Sequence, residues 1–197
     1  MIRDYFNGLA ARWDERITPQ TITRLEEIVA AHRPPPGARV LDVGCGTGVL
    51  TPLLLAAVGE EGEVVGVDFA PAMLTVARAK GFDPRATFVE ADVADLPFPD
   101  GHFDAVFCYS ALPHFPDIPA ALSEMRRVLV PGGNLTICHT ESREAINRLH
   151  REVVGRPVRD HLLPTAAELE ATLSAGGFRD VTVFDGNDRF IAAGRRT

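Results

Sequence analysis

The stretch Asp42-Val43-Gly44-Cys45-Gly46-Thr47-Gly48 places three glycines within five residues. Such a turn lets a ligand lie against bare backbone, since any Cβ would hold it off, and it admits positive φ. Asp68 ends the apolar run over residues 63–67, and a carboxylate there can accept hydrogen bonds from both hydroxyls of a ribose. Asp92-Val93 follows a third apolar run and sets an acceptor for an adenine amino group beside a side chain that packs on the ring. A dinucleotide turn wants G-x-G-x-x-G, but the sixth position counted from Gly44 is Val49. The glycine turn and Asp68 alone fit a nicotinamide dinucleotide and an adenosyl sulfonium equally. Asp92, Val49 and a C-terminal hairpin favour the sulfonium.

A second polar group is His139-Thr140-Glu141-Ser142-Arg143, with Asn147 and His150 beyond it. On a helix, Arg143, Asn147 and His150 share a face at i, i+4 and i+7. With His114 from a neighbouring loop, that face can bind a polar or anionic acceptor, His139 or His150 taking its proton. In the alternative reading Ile146, Leu149 and Val153 bury one side of the helix and the polar face is only solvated. His139, His150 and His161 are too widely spaced for a metal-ligand signature, so no metal is expected. Cys45, Cys108 and Cys138 sit in apolar runs without a C-x-x-C pair and read as buried thiols.

The elements that must position these groups alternate. Strands are expected over residues 39–43, 63–67, 86–89, 103–108 and 134–138. The intervening helices run through Leu50, Leu53, Leu54 and Ala57, from Pro71 to Gly81, and along Ile118, Ala121, Leu122, Met125, Val128 and Leu129 after an Asp117 cap. Pro131-Gly132-Gly133 is read as ending the last of these. Alternation of this kind predicts parallel strands with crossover helices on both faces. Two helical pieces come first, and Pro34-Pro35-Pro36-Gly37 stops the second. At the other end lie a helix over residues 142–154, another begun by a Thr165/Glu168 capping box, and a hairpin of residues 181–184 and 189–193.

The 197 residues suit one domain, read as 1–33 helical lid, 38–139 binding core and 140–197 acceptor-side helices with the closing hairpin. A formal net charge of -7 argues against a nucleic-acid backbone as partner. No run is apolar enough to span a bilayer, and residues 1–6 lack a secretory pattern, so a cytoplasmic location is expected. A homodimer stays open.

Leu41 to Gly48, Gly66 to Leu74, Ala91-Asp92-Val93 with Leu96-Pro97-Phe98, Phe103 to Val106, and Arg127 to Gly133 together resemble the successive motifs of class I S-adenosylmethionine (SAM)-dependent methyltransferases. The resemblance covers residues 38–139 and is strongest to the small-molecule branch that includes quinone-biosynthesis methyltransferases. It implies a doubly wound, Rossmann-like α/β fold whose sheet of seven strands is mostly parallel and closed by an antiparallel hairpin. It also implies S-adenosyl-L-methionine as cofactor. Gly44, Cys45 and Gly46 would face the methionine end and Asp42 would anchor the loop or the amino group. Asp68 would hold the ribose, Phe69 and Met73 would pack on the adenosine, and Asp92 and Val93 would take the adenine. Tyr109 or Ser110 would sit near the sulfonium, and Trp13, in the stretch from Tyr5 to Asp14, would lie over the methionine end unless it merely packs its helix. Ala70 stands where the family often has serine, which weakens a helix cap. The implied reaction is in-line methyl transfer to a small-molecule acceptor; a non-catalytic SAM-binding module and, behind it, an NAD-dependent oxidoreductase are the alternatives.

Overall fold

A computed structural model describes residues 2–152 and 157–197. The chain opens with α1 (Ile2–Leu9), a 3-10 helix (Ala10–Arg16) and α2 (Pro19–Ala31). The core then alternates β1 (Arg39–Val43), α3 (Thr51–Val58), β2 (Glu63–Asp68), α4 (Pro71–Ala79), β3 (Ala86–Glu90), β4 (Phe103–Tyr109), α5 (Ile118–Val128) and β5 (Leu129–His139). It closes with α6 (Arg143–Glu152), α7 (Ala166–Ala175), β6 (Phe178–Asp185) and β7 (Phe190–Arg196). The seven strands order as β3-β2-β1-β4-β5-β7-β6. Pairings are parallel from β3 through β5, and β7 runs antiparallel to both β5 and β6.

Each sheet face is covered because apolar side chains alternate along the strands. Leu41, Val43, Val67, Val106, Leu135 and Ile137 pack under α5 and α7, which contribute Leu122, Met125, Leu169 and Leu173. Val40, Val64, Ala105, Phe107 and Cys138 face the other way, against Leu25, Ile28, Leu54 and Val58 of α2 and α3. The strand order reverses between β1 and β4, so the loops after these strands splay apart at the topological switch point where α/β sheets take ligands.

Three sequence expectations change. Pro131-Gly132-Gly133 lies inside β5 and does not separate helix from strand. Leu129 already pairs with Phe103, and the register shifts before Asn134 pairs with Ala105. A Cβ on Gly133 would approach the carbonyls of Val130 and Asp104 at 2.9 and 3.0 Å, so glycine permits this bulge. The hairpin strands are longer than expected, because β7 is held between two partners along its length. Of the expected apolar stripe of α6, Ile146 packs half-buried against the core while Leu149 is 60% exposed. Residues 153 and 154, assigned to the same helix from sequence, lie outside the described residues.

What α6 buries is Asn147. Its amide nitrogen donates to the Leu163 carbonyl at 3.1 Å, and its oxygen accepts from the Leu163 N–H at 2.8 Å. One side chain thus stands in for a strand partner and pins residues 161–163 to α6. Asn147→Ala leaves two buried backbone groups unpaired and is expected to cost about 2–4 kcal/mol, read as a lower urea midpoint at unchanged m value.

Candidate functional site

A cleft opens across the carboxyl ends of β1, β2, β3 and β4. Its floor is the glycine turn, with Gly44, Cys45 and Gly46. Gly44 has φ +68°, and a Cβ there would lie 2.4 Å from Ala111 Cβ, so glycine is what lets the loops after β1 and β4 meet. Gly46 has φ +54°, and a Cβ would find only Trp13 Nε1, 3.9 Å away. It would therefore project into the open cleft, which is the cradle a ligand lying on bare backbone requires.

Asp68 and Asp92 line the same cleft, with Phe69, Met73 and Val93 beside them. Asp68 Oδ2 accepts from the Gly46 N–H at 2.9 Å and Oδ1 accepts from the Ala70 N–H at 2.8 Å. One carboxylate therefore staples the glycine turn to the start of α4, and its remaining lone pairs are available to a ribose. Burial pushes the Asp68 carboxyl up, while those backbone hydrogen bonds pull it back. Asp92 Oδ1 accepts from the Ala94 N–H at 3.0 Å, which fixes the turn after β3.

The roof comes from the N-terminus. Ile2, Phe6 and Trp13 line the cleft from above. Asp14 accepts from Thr47 Oγ1 of the glycine turn at 2.5 Å and pairs with Lys80 Nζ at 2.7 Å. Ala70 gives α4 no side-chain cap, as its identity implies. Asn7 of α1 supplies the acceptor instead, its Oδ1 taking the Ala72 N–H at 3.0 Å. Phe6, Ala10, Ala70, Met73 and Val158 then close an apolar cluster between roof and floor.

The cleft gathers Gly44, Cys45, Gly46, Asp68, Phe69 and Met73, together with Asp92, Val93, Tyr109, Trp13 and His114. Asp42 is not on its surface. It lies beneath the glycine turn, 1% exposed, with neither carboxylate oxygen hydrogen-bonded. Burial, with the Asp68 charge nearby, raises its carboxyl to about 7. Arg143, Asn147, His139 and His150 are also absent from the lining. Arg143 Nε is 2.6 Å from Asp185 Oδ2, and Asn147 is spent on Leu163. His150 Nδ1 hydrogen-bonds the His161 carbonyl, and His139 is buried with both ring nitrogens unpartnered. Burial and the neighbouring His150 hold His139 down to about 3, so it is neutral at pH 7.

Sequence reasoning missed Ile2 and Phe6, although their i, i+4 spacing puts them on one face of α1. It also missed Phe115 and Pro116, which line the cleft as well. Their signal was proximity to the β4 tip. Among the described residues no Lys or Arg lines the cleft, and Asp68 and Asp92 are its only acidic side chains. That charge suits a cationic ligand and offers nothing to an anionic one.

Residues 40–133 match a family model described as a methyltransferase domain. Over that stretch the chain is a methyltransferase domain, on the fold seen in solved SAM-dependent methyltransferases. Among the curated proteins it is similar to are demethylmenaquinone methyltransferases. The demethylmenaquinone methyltransferase of Thermus thermophilus is 48% identical over 103 residues, 50% of this chain and 46% of that one. The enzyme of the same name from Symbiobacterium thermophilum is 39% identical over 145 residues, 70% of this chain and 57% of that one. The chain thus spans about half the length of the curated relatives it matches. A SAM-dependent methyltransferase structure from Aquifex aeolicus, 22% identical, superposes with TM-score 0.74 over 99% of this chain and 98% of that one.

Gly44→Ala forces Ala111 aside and strains a left-handed backbone; SAM affinity by calorimetry is expected to fall at least about tenfold. Asp42 yields a pH prediction. Its folded pKa of about 7 lies above the unfolded value of about 3.9, so the stability it contributes is present below pH 4 and lost as pH rises to 7. His114 and His139, both held at about 3, act oppositely, losing stability as pH falls below about 6.5. Comparing Asp42→Asn with the wild type isolates the carboxyl. Between pH 4 and 7 the variant should gain on the wild type by up to about 1.4 kcal/mol per pH unit in ligand-free chemical denaturation.

Proposed function

We propose that this protein transfers a methyl group from SAM to a small, uncharged acceptor with an apolar, aromatic body. The observation that carries the reading is the cleft itself: bare glycine backbone, two acids at adjacent strand tips, an aromatic roof and, among the described residues, no cationic side chain. The names of the relatives point the same way, toward the quinol class.

Bound SAM supplies an electrophilic methyl on a sulfonium. The chain's part is to bind, orient and exclude water. Gly44, Cys45 and Gly46 bare the floor for the methionine end; the expected Asp42 anchor drops out, since that carboxyl is buried off the cleft with no hydrogen-bond partner. Asp68 accepts from the ribose, Asp92 and Val93 take the adenine, and Phe69 and Met73 pack on the adenosine. Trp13 and Phe6 shut out solvent, while Tyr109 flanks the methyl. The acceptor then lies against His114, Phe115 and Pro116. The expected Arg143 and Asn147 contacts to an anionic acceptor drop out of this reading, since one is paired with Asp185 and the other with Leu163. His139 and His150 likewise stand behind the wall and take no proton directly.

The reading treats residues 1–197 as one unit, with 1–33 as lid, 38–139 as cofactor core and 140–197 as acceptor wall and closing hairpin. It places the work in the cytoplasm, where no helix long and apolar enough to cross a membrane is needed, on a small molecule in preference to a nucleic acid. A homodimer is read directly by sedimentation.

Calorimetry with SAM, followed by labelled-methyl transfer to a short-chain prenyl 1,4-naphthoquinol, tests the proposal. Asp68→Ala is expected to weaken SAM by about ten- to a hundredfold through loss of charged hydrogen bonds. Wild-type protein that takes up no SAM would end the proposal.

A further inference from the structure

Four histidines gather behind the acceptor end of the cleft, and only one of them lines it. The His114 ring centroid lies 5.1 Å from that of His150 and 5.5 Å from that of His161. Its Nδ1 is 3.2 Å from His161 Nδ1. At that contact one nitrogen must donate and the other accept, so a single proton lies between the rings. Its remaining nitrogen, Nε2, is the one left for the cleft that His114 lines.

His161 is itself held rigidly. Its carbonyl accepts from His150 Nδ1, which fixes His150 as the Nδ1–H tautomer, because a carbonyl cannot donate. Two residues on, Leu163 is clamped by Asn147 through both backbone groups. The His161 N–H donates to the Val158 carbonyl at 3.1 Å, and Val158 packs with Phe6 of the roof. The His114 ring rests edge-on against Phe6, centroids 5.0 Å apart. The polar face of α6 thus serves the segment that carries His161.

We propose that His161 is a positioning residue for His114: the contact between their Nδ1 atoms fixes the His114 ring so that Nε2 meets the acceptor, selecting an uncharged hydroxyl or carbonyl carried beside an apolar ring. This rests on the methyl-transfer reading above. The groups facing His114 are His150 from α6, His161 from the neighbouring segment and His139 from β5, with Asp160 acting on His161. Burial first, then those three histidines, hold His114 at about 3, so it meets the acceptor as a neutral ring throughout the physiological range.

The test uses the full chain with 15N-labelled histidine, whose ring nitrogens are read by long-range 1H–15N correlation at pH 7. Wild type and His161→Asn, which keeps a hydrogen-bonding atom near the Nδ1 position, are expected to show the 15N signal of a hydrogen-bonded His114 Nδ1, and His161→Leu that of an unpartnered one. Shifts on adding reduced short-chain prenyl 1,4-naphthoquinol give its affinity. That affinity should fall about five- to tenfold in His161→Leu, the loss of one hydrogen bond, and recover in His161→Asn. SAM affinity should stay level in all three. A His161→Leu protein with the wild-type His114 Nδ1 signal and wild-type naphthoquinol affinity overturns the pairing. Failure of the wild type to bind SAM overturns the functional reading instead, and the Nδ1 comparison still decides the pairing.

Discussion

The Asp68 carboxylate bridging Gly46 and Ala70 is the interaction on which the site depends. It joins the turn after β1 to the start of α4, so the glycine floor of the cleft and the wall beside it form one piece. The parallel pairing of β1 with β2 brings the two ends level, Asp42 beside Gly66 and Val43 beside Val67. The Cys45 N–H donating to the Val67 carbonyl at 3.0 Å continues that pairing into the turn. Sheet register and cofactor geometry are therefore the same fact. A slip of one residue would turn Asp68 to the opposite face of the sheet.

Around this staple the protein keeps ionisable groups buried without pairing them. Asp42 and His139 sit near the ends of β1 and β5, and burial shifts each toward its neutral form. A neutral group costs less to keep inside than a charged one. Net charge in the cleft is left to Asp68 and Asp92, which complements a sulfonium, while the neutral wall of His114, Phe115 and Pro116 suits an uncharged partner. The two halves of the cleft are thus tuned to different charges, and α6 contributes to the second half only through the segment it clamps.

The parallel core was legible because it rests on local pattern. Apolar runs of strand length, glycine turns and the Asp117 and Thr165 caps each leave a signature within a few residues. The strand-tip cleft was legible for the same reason, since each strand tip speaks for itself. The surroundings of α6 were not. Helical spacing correctly put Arg143, Asn147 and His150 on one face but could not say what that face meets, and the partners, Asp185, Leu163 and His161, are brought in by long-range folding. Pro131-Gly132-Gly133 misled in a similar way, because a break signal read locally becomes a bulge once Phe103 recruits Leu129 into the sheet.

The cap that Asn7 lends to α4 carries a consequence for how the sequence can drift. Position 70 carries no hydroxyl to serve its own helix, and position 7, on a different element, provides the acceptor. Residues 7 and 70 are therefore not free to vary separately. A chain that regained serine at 70 would have two acceptors competing for the same amide, and the roof would be held less firmly. With alanine at 70, the Ala72 N–H relies on an acceptor at position 7, which couples a pair of positions sixty-odd residues apart much as neighbours in a single turn are coupled.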